Sequence, residues 1–135
     1  MKPGTVYDQW ITNQDFFPSL LALAGISIPG NYQGDRRNFL PLLRGQPYSA
    51  RDVLFGQYDI SNTADQQMRM IRTRDWKLVR HYSKRSMDEM FDLRIDPDEL
   101  KNVIDQQEHH AVRDALQQRL ETWMRSINDP VLTSK

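Results

Sequence analysis

The sequence has no cysteine, no long apolar run and no excess of charge of one sign, and each absence excludes a class of protein. With no cysteine among 135 residues, disulfides, cysteine-bound zinc and thiol catalysis are excluded. No apolar stretch reaches the length of about 18 residues that a membrane span requires. The 18 basic and 18 acidic residues cancel, so the composition lacks the basic excess typical of nucleic-acid binding. We therefore expect a globular protein with no membrane span and no nucleic-acid partner.

The order of the segments divides the chain into three parts. Residues 1–52 combine an extended lead-in, an apolar helix and a loop. Residues 53–130 carry short strands and a long helix, and residues 131–135 are a tail. The lead-in MKPGTVYDQW has one lysine but no apolar run behind it, so no signal peptide is predicted in this chain and the compartment stays unknown.

The first helix is predicted over Phe16–Ala24 and is apolar on nearly every side. Asp15 or Asn13 can cap this helix, and Asp15 is favoured because it leaves Pro18 at the third helical position; Gly25 is the glycine that ends the helix. A helix that is apolar all round is expected to be buried all round. The following residues, 29–52, are rich in proline and glycine and predict a loop. Four apolar residues can anchor this loop to a core: Phe39, Leu40, Leu42 and Leu43.

Short runs rich in β-branched and aromatic residues then predict an antiparallel meander. The runs are VLFGQY (53–58), QMRMIRT (67–73), WKLVRHY (76–82) and EMFDL (89–93). If Arg74–Asp75 is the tip of the central hairpin, the numbers of facing residues sum to 149. Arg69 then faces Arg80, and Arg72 faces Lys77. Because facing like charges are unfavourable, we expect a carboxylate near each pair, supplied by the acidic residues around the fourth strand.

The last element is a long amphipathic helix. Asp105 and Glu108 fit a capping box at its start, and Asn128 with Asp129–Pro130 ends it. Its apolar stripe recurs at helical spacing: Val112, Leu116, Leu120, Trp123, Met124 and Ile127. We therefore predict an α+β fold in which a four-stranded antiparallel sheet packs against a long C-terminal helix, with an additional N-terminal apolar helix and loop.

The acidic stretch MFDLRIDPDELKN (90–102) has three interpretations: a metal loop, a catalytic carboxylate cluster or a turn. A calcium loop of the EF-hand type needs a central glycine and alternating oxygen ligands, which the stretch lacks. Catalytic carboxylates need burial or mutual proximity to shift their pKa values, whereas these are expected in solvent. The turn is favoured. Asp96 would cap it, Pro97 would take its first position, Glu99 would close the box, and Asn102 would end it in a left-handed conformation.

Five stretches resemble, in order, the segments of one enzyme family. KPGTVYDQWITNQD is similar to the lead-in after a PLIxxxPG strand, DFFPSLLALAGI to a DlxPTLLxLAGI helix, and FLPLLRGQ to SLLPLLxG. RMIRTRDWKLVRHY resembles a RaVRTxxyKLI hairpin, and FDLRIDPDELKN resembles LYDLxxDPxExxN. These segments belong to the sulfatases of the alkaline-phosphatase-like superfamily. The resemblance spans about residues 1–130 and identifies the chain as the C-terminal region of a type I, formylglycine-dependent sulfatase.

The resemblance implies hydrolysis of sulfate esters or sulfamates by a formylglycine, made from Cys or Ser in a C/S-x-P-x-R motif, with Ca²⁺ bound nearby. This sequence has no cysteine, and its nearest serine match, SIPGN at Ser27–Asn31, lacks the arginine. The family's metal ligands and catalytic Lys and His lie upstream of the point that matches Met1. We therefore predict no catalytic residue, no metal ligand and no cofactor in this chain.

Residues that border the substrate pocket remain candidates, because the resemblance implies that the C-terminal subdomain contributes to substrate choice. The candidates for contacting an anionic or sulfated sugar are Arg72, Arg74, His81 and Tyr58, although exposed cations on strands are ordinary. The apolar helix predicts a second surface, for a homodimer or for association with a sulfatase catalytic domain. Its residues are Phe16, Phe17, Leu20 and Leu23.

Three functions follow from these observations. The favoured one is a C-terminal sulfatase fragment that is inactive alone and shapes the substrate pocket of the complete enzyme. The second is a stand-alone module that binds sulfated glycans through the cationic hairpin. The third is an interaction module for a separate catalytic chain. Whether the chain is itself an enzyme stays open.

Overall fold

A computed structural model describes residues 3–32, 34, 37–60, 66–82 and 87–133. Its elements are α1 (Asn13–Leu23), α2 (Leu40–Leu43), β1 (Leu54–Ile60), β2 (Gln66–Arg72), β3 (Trp76–His81), β4 (Glu89–Asp92) and α3 (His110–Ser126). They form two compact units, Met1–Asp52 and Val53–Lys135. Within the described residues, no helix combines the length and the apolar composition that crossing a membrane needs.

The start of α1 differs from the prediction. Thr12 is the N-cap, and the prediction of Asp15 as the cap was wrong. Asp15 lies one turn into the helix, where its carboxylate accepts the Thr12 N–H at 2.7 Å. The same carboxylate is fully buried and paired with the Arg51 guanidinium. A buried charge needs such a partner, and the partner lies too far along the sequence for a local pattern to indicate it.

The end of α1 follows the prediction. Gly25 has a φ of 71°, a backbone conformation that glycine adopts without steric cost. The Ile26 N–H donates to the Leu21 carbonyl at 2.9 Å, and the Gly25 N–H donates to the Ala22 carbonyl at 3.3 Å. These two bonds form a Schellman motif, which satisfies carbonyls that the end of a helix leaves without donors.

The segment after α1 contains a short helix that the sequence did not predict. α2 follows Phe39, whose N–H donates to Ser19 Oγ at 2.9 Å, while the Ser19 hydroxyl donates to the Asp15 carbonyl at 2.6 Å. Three of the four predicted anchors are buried, and the fourth is half-buried: Phe39, Leu40 and Leu42, then Leu43. This unit therefore holds its loop by apolar burial and by the bridging Ser19 hydroxyl.

The sheet has the predicted antiparallel order, β1-β2-β3-β4. The register of the central hairpin is also confirmed, because Ile71 pairs with Leu78 and each further facing pair of β2 and β3 has the same sum of 149. The Thr73 N–H donates to the Trp76 carbonyl at 2.8 Å and closes the turn. The position of the turn at Arg74–Asp75 predicted this register, which places Ile71 and Arg69 together on the buried face.

One face of the sheet packs against α3 to form the core. The residues with no exposed surface come from both layers: Ile71, Leu78, Met90, Leu120 and Met124. Leu116 is also buried, Val112 and Trp123 pack against the cluster, and Ile127 is exposed just beyond the helix. Each buried apolar side chain of this size contributes about 1.5–3 kcal/mol. The predicted α+β architecture is confirmed.

The predictions for the two ends of α3 had different outcomes. The predicted capping box of Asp105 and Glu108 was wrong, since a 3₁₀ turn over Gln107–His109 leads into the helix without a side-chain cap. The predicted end is confirmed. Asn128 has a φ of 52°, and the Asp129 N–H donates to the Met124 carbonyl at 2.9 Å. This Schellman motif turns the chain back toward the sheet.

The acidic stretch is a turn, but two of its residues have other roles than predicted. Asp96 accepts the N–H groups of Leu100 and Lys101 at 3.0 and 2.9 Å. The left-handed residue is Glu99, with a φ of 58°, and not Asn102. Asn102 instead accepts the Met90 N–H at 3.0 Å. Because this N–H lies on the free side of β4, its need for an acceptor decided the role of Asn102.

Candidate functional site

The four candidate sugar-contacting residues lie at two ends of the sheet. Arg72 and Arg74 are at the β2–β3 turn, whereas Tyr58 and His81 lie toward the other end. Met68 pairs with both Tyr58 and His81, so these two side chains share one face of the sheet. Met68 and Arg72 are four positions apart on β2, or about 13 Å. The structure therefore aligns Tyr58 with His81 and separates both from the two arginines.

Of the aligned Tyr58 and His81, only Tyr58 has a side-chain donor that can reach a ligand. The Tyr58 side chain is exposed. His81 Nε2 lies 3.0 Å from Glu89 Oε1, so the carboxylate favours the tautomer with a proton on Nε2. The His81 backbone N–H donates to Asp88 Oδ1 at 2.8 Å. Both printed donors of His81 are therefore directed to carboxylates of the protein, and the Tyr58 hydroxyl is the group that suits hydrogen bonding to a hydroxyl or sulfate oxygen.

Glu99 lies between the two cationic side chains that face each other at the turn end. The Arg72 guanidinium donates to Glu99 Oε1 at 3.1 Å, and the Lys77 ammonium donates to Glu99 Oε2. In the other pair, Arg80 contacts Asp88 at 3.1 Å, while Arg69 contacts Asp129 and Asp59. The expected carboxylates are therefore present beside both cationic pairs, and Glu99 and Asp88 come from the acidic residues around β4.

Replacing Glu99 by Gln is expected to lower the free energy of unfolding by about 1 kcal/mol at low salt, because two partly exposed ion pairs are lost. Arg72 and Lys77 would then face each other without a carboxylate. In about 1 M NaCl this loss of stability should be smaller, since salt screens the interaction between partly exposed charges. Urea unfolding at both salt concentrations measures the effect, with the exposed Glu108→Gln as the control. An equal loss at both concentrations would contradict the electrostatic origin.

A third arginine, which the sequence did not single out, lies at the same end of the sheet. Arg94 donates to Asp92 Oδ1 at 2.8 Å and to Asp92 Oδ2 at 2.6 Å, and its guanidinium is 5.0 Å from the centre of the Trp76 ring. Trp76 pairs with Asp92 across the strands. The hydrogen bonds from Arg94 hold the pKa of Asp92 below its usual value. Arg94 is therefore a third arginine at the turn end of the sheet, where Arg72 contacts Glu99 and Arg94 contacts Asp92.

The sheet unit contains a buried ion pair that the sequence did not reveal. Arg69 and Asp129 are both fully buried. The Arg69 guanidinium donates to Asp129 at 2.5 and 2.8 Å, and to the half-exposed Asp59 at 2.6 Å. The Gln57 amide adds a donor to Asp129 at 3.3 Å. These bonds hold the pKa of Asp129 below its usual value and raise that of Arg69. The pair ties the end of α3 to the sheet.

The donor set in the described residues does not fit a metal ion. Within those residues, no group of three or more His, Cys, Asp and Glu is arranged to hold one. The acidic side chains on and beside the sheet contact cations of the protein instead, as Asp129 contacts Arg69 and Glu99 contacts Lys77. Ser27, from the nearest match to the nucleophile motif, lies exposed in the loop after α1. No step of Ca²⁺ or formylglycine chemistry is assigned to these residues.

The apolar residues of α1 form an exposed patch in the first unit. The exposed fractions are 48% for Phe16, 44% for Phe17, 60% for Leu20 and 64% for Leu23. Phe16 also contacts the Phe39 ring edge-on, at a distance of 5.2 Å between ring centres. The helix therefore uses part of its apolar surface inside its own unit and leaves these four residues largely accessible.

The sequence is similar to the C-terminal parts of sulfatases. The family model described as N-sulphoglucosamine sulphohydrolase, C-terminal, matches residues 1–126. An arylsulfatase of Clostridium perfringens is 30% identical over 88% of this chain and 24% of its own length. An N-acetylglucosamine-6-O-sulfatase of Bacteroides thetaiotaomicron is 28% identical over 96% of this chain and 24% of its own length. The chain thus spans about a quarter of the length of these curated relatives.

Solved structures give the same relationship. The structure of BT4656 in complex with its substrate D-glucosamine-2-N,6-O-disulfate matches with a TM-score of 0.72 at 30% identity. The match covers 87% of this chain and 25% of that protein. The structure of BT1596, a 2-O GAG sulfatase, matches with a TM-score of 0.77 at 22% identity, over 90% of this chain and 26% of that protein. The second similarity supports the fold alone.

Proposed function

This chain belongs to the family of N-sulphoglucosamine sulphohydrolase C-terminal domains, and from that premise we propose that it borders the substrate pocket of a sulfatase and is inactive alone. The family match over residues 1–126 carries this proposal. We further propose sulfated amino sugars as the substrate class. The support is the 30% identity to the protein solved with D-glucosamine-2-N,6-O-disulfate.

The proposed inactivity follows from the chemistry of sulfate-ester hydrolysis. The resemblance implies a formylglycine nucleophile and a divalent cation that stabilises charge on the sulfuryl oxygens. This sequence has no cysteine, and no serine in it lies in an S-x-P-x-R motif. The residues that remain can contribute binding and orientation of a substrate, which alone do not cleave the S–O bond.

We expect the purified chain to release no sulfate from 4-nitrophenyl sulfate in the presence of Ca²⁺. The C. perfringens arylsulfatase, assayed in parallel, is the positive control. The measurement is 4-nitrophenol absorbance together with sulfate quantified by ion chromatography. Turnover that co-purifies with the chain and scales with its concentration would contradict the proposal.

For the pocket, we propose that Arg74 makes the leading contact with substrate sulfate, because it lies at the end of the sheet where Arg72 and Arg94 also lie. The test is a chimera in which this chain replaces the matching segment of the B. thetaiotaomicron N-acetylglucosamine-6-O-sulfatase. Losing a hydrogen bond between charged groups costs about 1.5–3 kcal/mol, so Arg74→Ala should raise KM about tenfold or more. Arg72→Ala, His81→Ala and Tyr58→Phe test the remaining candidates in the same way.

The matched control for this series is Arg125→Ala, since Arg125 lies on the exposed side of α3. It should change KM by less than about twofold. A folded chimera whose KM is unchanged in all four candidate variants would contradict pocket binding by these residues. Retention of the isolated chain on heparin at physiological salt, lost in Arg74→Ala, would favour the stand-alone glycan-binding function instead.

For the α1 patch, we propose the catalytic part of a sulfatase as the occupant. The curated relatives are about four times as long as this chain, and Phe16, Phe17, Leu20 and Leu23 are accessible. Burial of such side chains contributes about 1.5–3 kcal/mol each. The double variant Leu20→Ser with Leu23→Ser should therefore abolish co-purification with the amino-terminal part of the B. thetaiotaomicron N-acetylglucosamine-6-O-sulfatase. Unchanged co-purification would contradict docking through α1, and self-association lost in this variant would favour the homodimer.

A further inference from the structure

The two edges of the sheet are protected to different degrees. β4 is four residues long, and its free side is covered because the Met90 N–H donates to Asn102 Oδ1 and the Met90 carbonyl accepts the Val103 N–H at 2.8 Å. β1 is seven residues long, LFGQYDI, with no proline and no lysine. Within the described part of the chain, no backbone hydrogen bond covers its outer side. Proteins ordinarily blunt such an edge, because it is a template for another strand.

The hydrogen-bond pattern shows which groups of β1 face the open side. The Thr73 N–H bonds to Trp76 and the Tyr82 N–H bonds to Gln67, so the odd-numbered residues of β2 bond to β3. In an antiparallel sheet the even-numbered residues of β2 then bond to β1, and their partners on β1 are also even-numbered. The outward N–H and C=O groups therefore belong to Phe55, Gln57 and Asp59.

We propose that β1 pairs antiparallel with β1 of a second copy, about a two-fold axis at Gln57. The two four-stranded sheets then become one continuous sheet. Each of the three outward residues exchanges an N–H and a C=O with its counterpart, Gln57 with the partner's Gln57 and Phe55 with the partner's Asp59. This surface belongs to the sheet unit, whereas the α1 patch belongs to the first unit.

The side chains of β1 are complementary to themselves in this register. Gly56 faces the partner's Tyr58, and Leu54 faces the partner's Ile60. These are the non-hydrogen-bonded pairs, whose side chains approach most closely. The exposed Tyr58 ring lies against Gly56 beside the Met70 methyl group, which packs on this glycine within the chain. An aromatic side chain across from a glycine is a pairing known to stabilise strands that contain glycine. Both Tyr58 and Ile60 are exposed in the single chain and become buried in the pair.

Charge argues against an axis at Asp59. Asp59 is the one charged residue of β1, and an axis at Asp59 would set two carboxylates opposite each other, which is unfavourable. With the axis at Gln57, Asp59 faces the partner's Phe55 and keeps its contact with Arg69 at 2.6 Å. Strand pairing alone buries less than the roughly 1,200 Å² of a stable interface. We therefore expect a dissociation constant on the order of micromolar.

The first test uses the absence of native cysteine. Facing residues in a hydrogen-bonded antiparallel pair have Cα atoms about 5.5 Å apart, within the range for a disulfide. Gln57→Cys should therefore form a covalent dimer under mild oxidation at about 100 μM, while the exposed control Glu108→Cys stays monomeric. Leu20→Cys reports on the alternative dimer through α1. Cross-linking of Leu20→Cys but not of Gln57→Cys would overturn the proposal.

The second test compares Gln57→Pro with Gln57→Ala by sedimentation. Both variants lose the amide bond to Asp129, but only proline removes the outward N–H. This N–H has no role in β1–β2 pairing, so the fold should tolerate proline. Proline should weaken dimerisation about tenfold relative to alanine. Equal dissociation constants for the two variants, or a parent chain that is monomeric at about 100 μM, would overturn the proposal.

Discussion

Asp129→Ala is expected to lower the free energy of unfolding of the sheet unit by about 3–5 kcal/mol. The substitution leaves the guanidinium of Arg69 fully buried without its bidentate partner. The remaining acceptor, Asp59, is 48% exposed at its side chain and cannot replace two short hydrogen bonds. Because a domain of this size has a total stability of only about 5–15 kcal/mol, the variant should be near its folding threshold at 37 °C.

Urea unfolding followed by circular dichroism measures this loss, with Asp59→Ala as the matched control. Asp59 contacts the same guanidinium but from an exposed position, so its removal should cost about 1 kcal/mol or less. Replacing both members, Arg69→Met with Asp129→Leu, should recover most of the stability, because no unpaired charge stays buried. A loss below about 1 kcal/mol in Asp129→Ala would contradict the assigned role.

The same pair gives the stability a defined pH dependence. Hydrogen bonds from Arg69 hold the folded-state pKa of Asp129 below its usual value, which is near 3.9 in an unfolded chain. The contribution of Asp129 is therefore fully present above about pH 5 and is lost as the pH falls through the folded pKa. Asp129→Asn removes this titration. Its stability should fall less steeply than that of the parent between about pH 5 and pH 2.

Leu120→Ala is expected to cost about 2–5 kcal/mol, the second largest effect. Leu120 has no exposed surface and lies in the cluster formed by α3 and the sheet. Truncation removes the transfer free energy of the lost atoms and leaves a cavity that a packed core fills only partly. The core residues come from both layers, so α3 and the sheet should unfold in one transition.

Leu100→Ala is the matched control, because the same atoms are removed from a side chain that is 85% exposed. Its cost should stay within about 0.5 kcal/mol. Thermal and urea unfolding of both variants give the comparison, with Trp123 fluorescence as a reporter of the core. If the two substitutions cost the same, the packing of α3 on the sheet is not as described.

The sequence by itself determined the parts of the molecule that depend on periodicity and on local turn chemistry. The turn at Arg74–Asp75 set the hairpin register, and the apolar stripe from Leu116 to Met124 set the buried face of α3. Gly25 and Asn128 marked two helix ends. Such features are local, because a backbone of fixed period points its side chains in directions that repeat along the chain. The five motifs likewise indicated the family, through their order and spacing along the chain.

Only the tertiary structure decided which partner each charged side chain has. Arg69 and Asp129 are 60 residues apart, and nothing in the sequence near either one indicates the other. The same holds for Asp15 with Arg51. For Arg72 and Lys77 the sequence predicted a carboxylate from the residues around β4, but only the structure showed that it is Glu99. The sequence proposed four sugar-contacting residues, but their separation into two ends of the sheet emerged only from the strand register. Partner choice depends on which distant segments meet once the core is packed, because burial makes each charge require whichever opposite charge lies within reach.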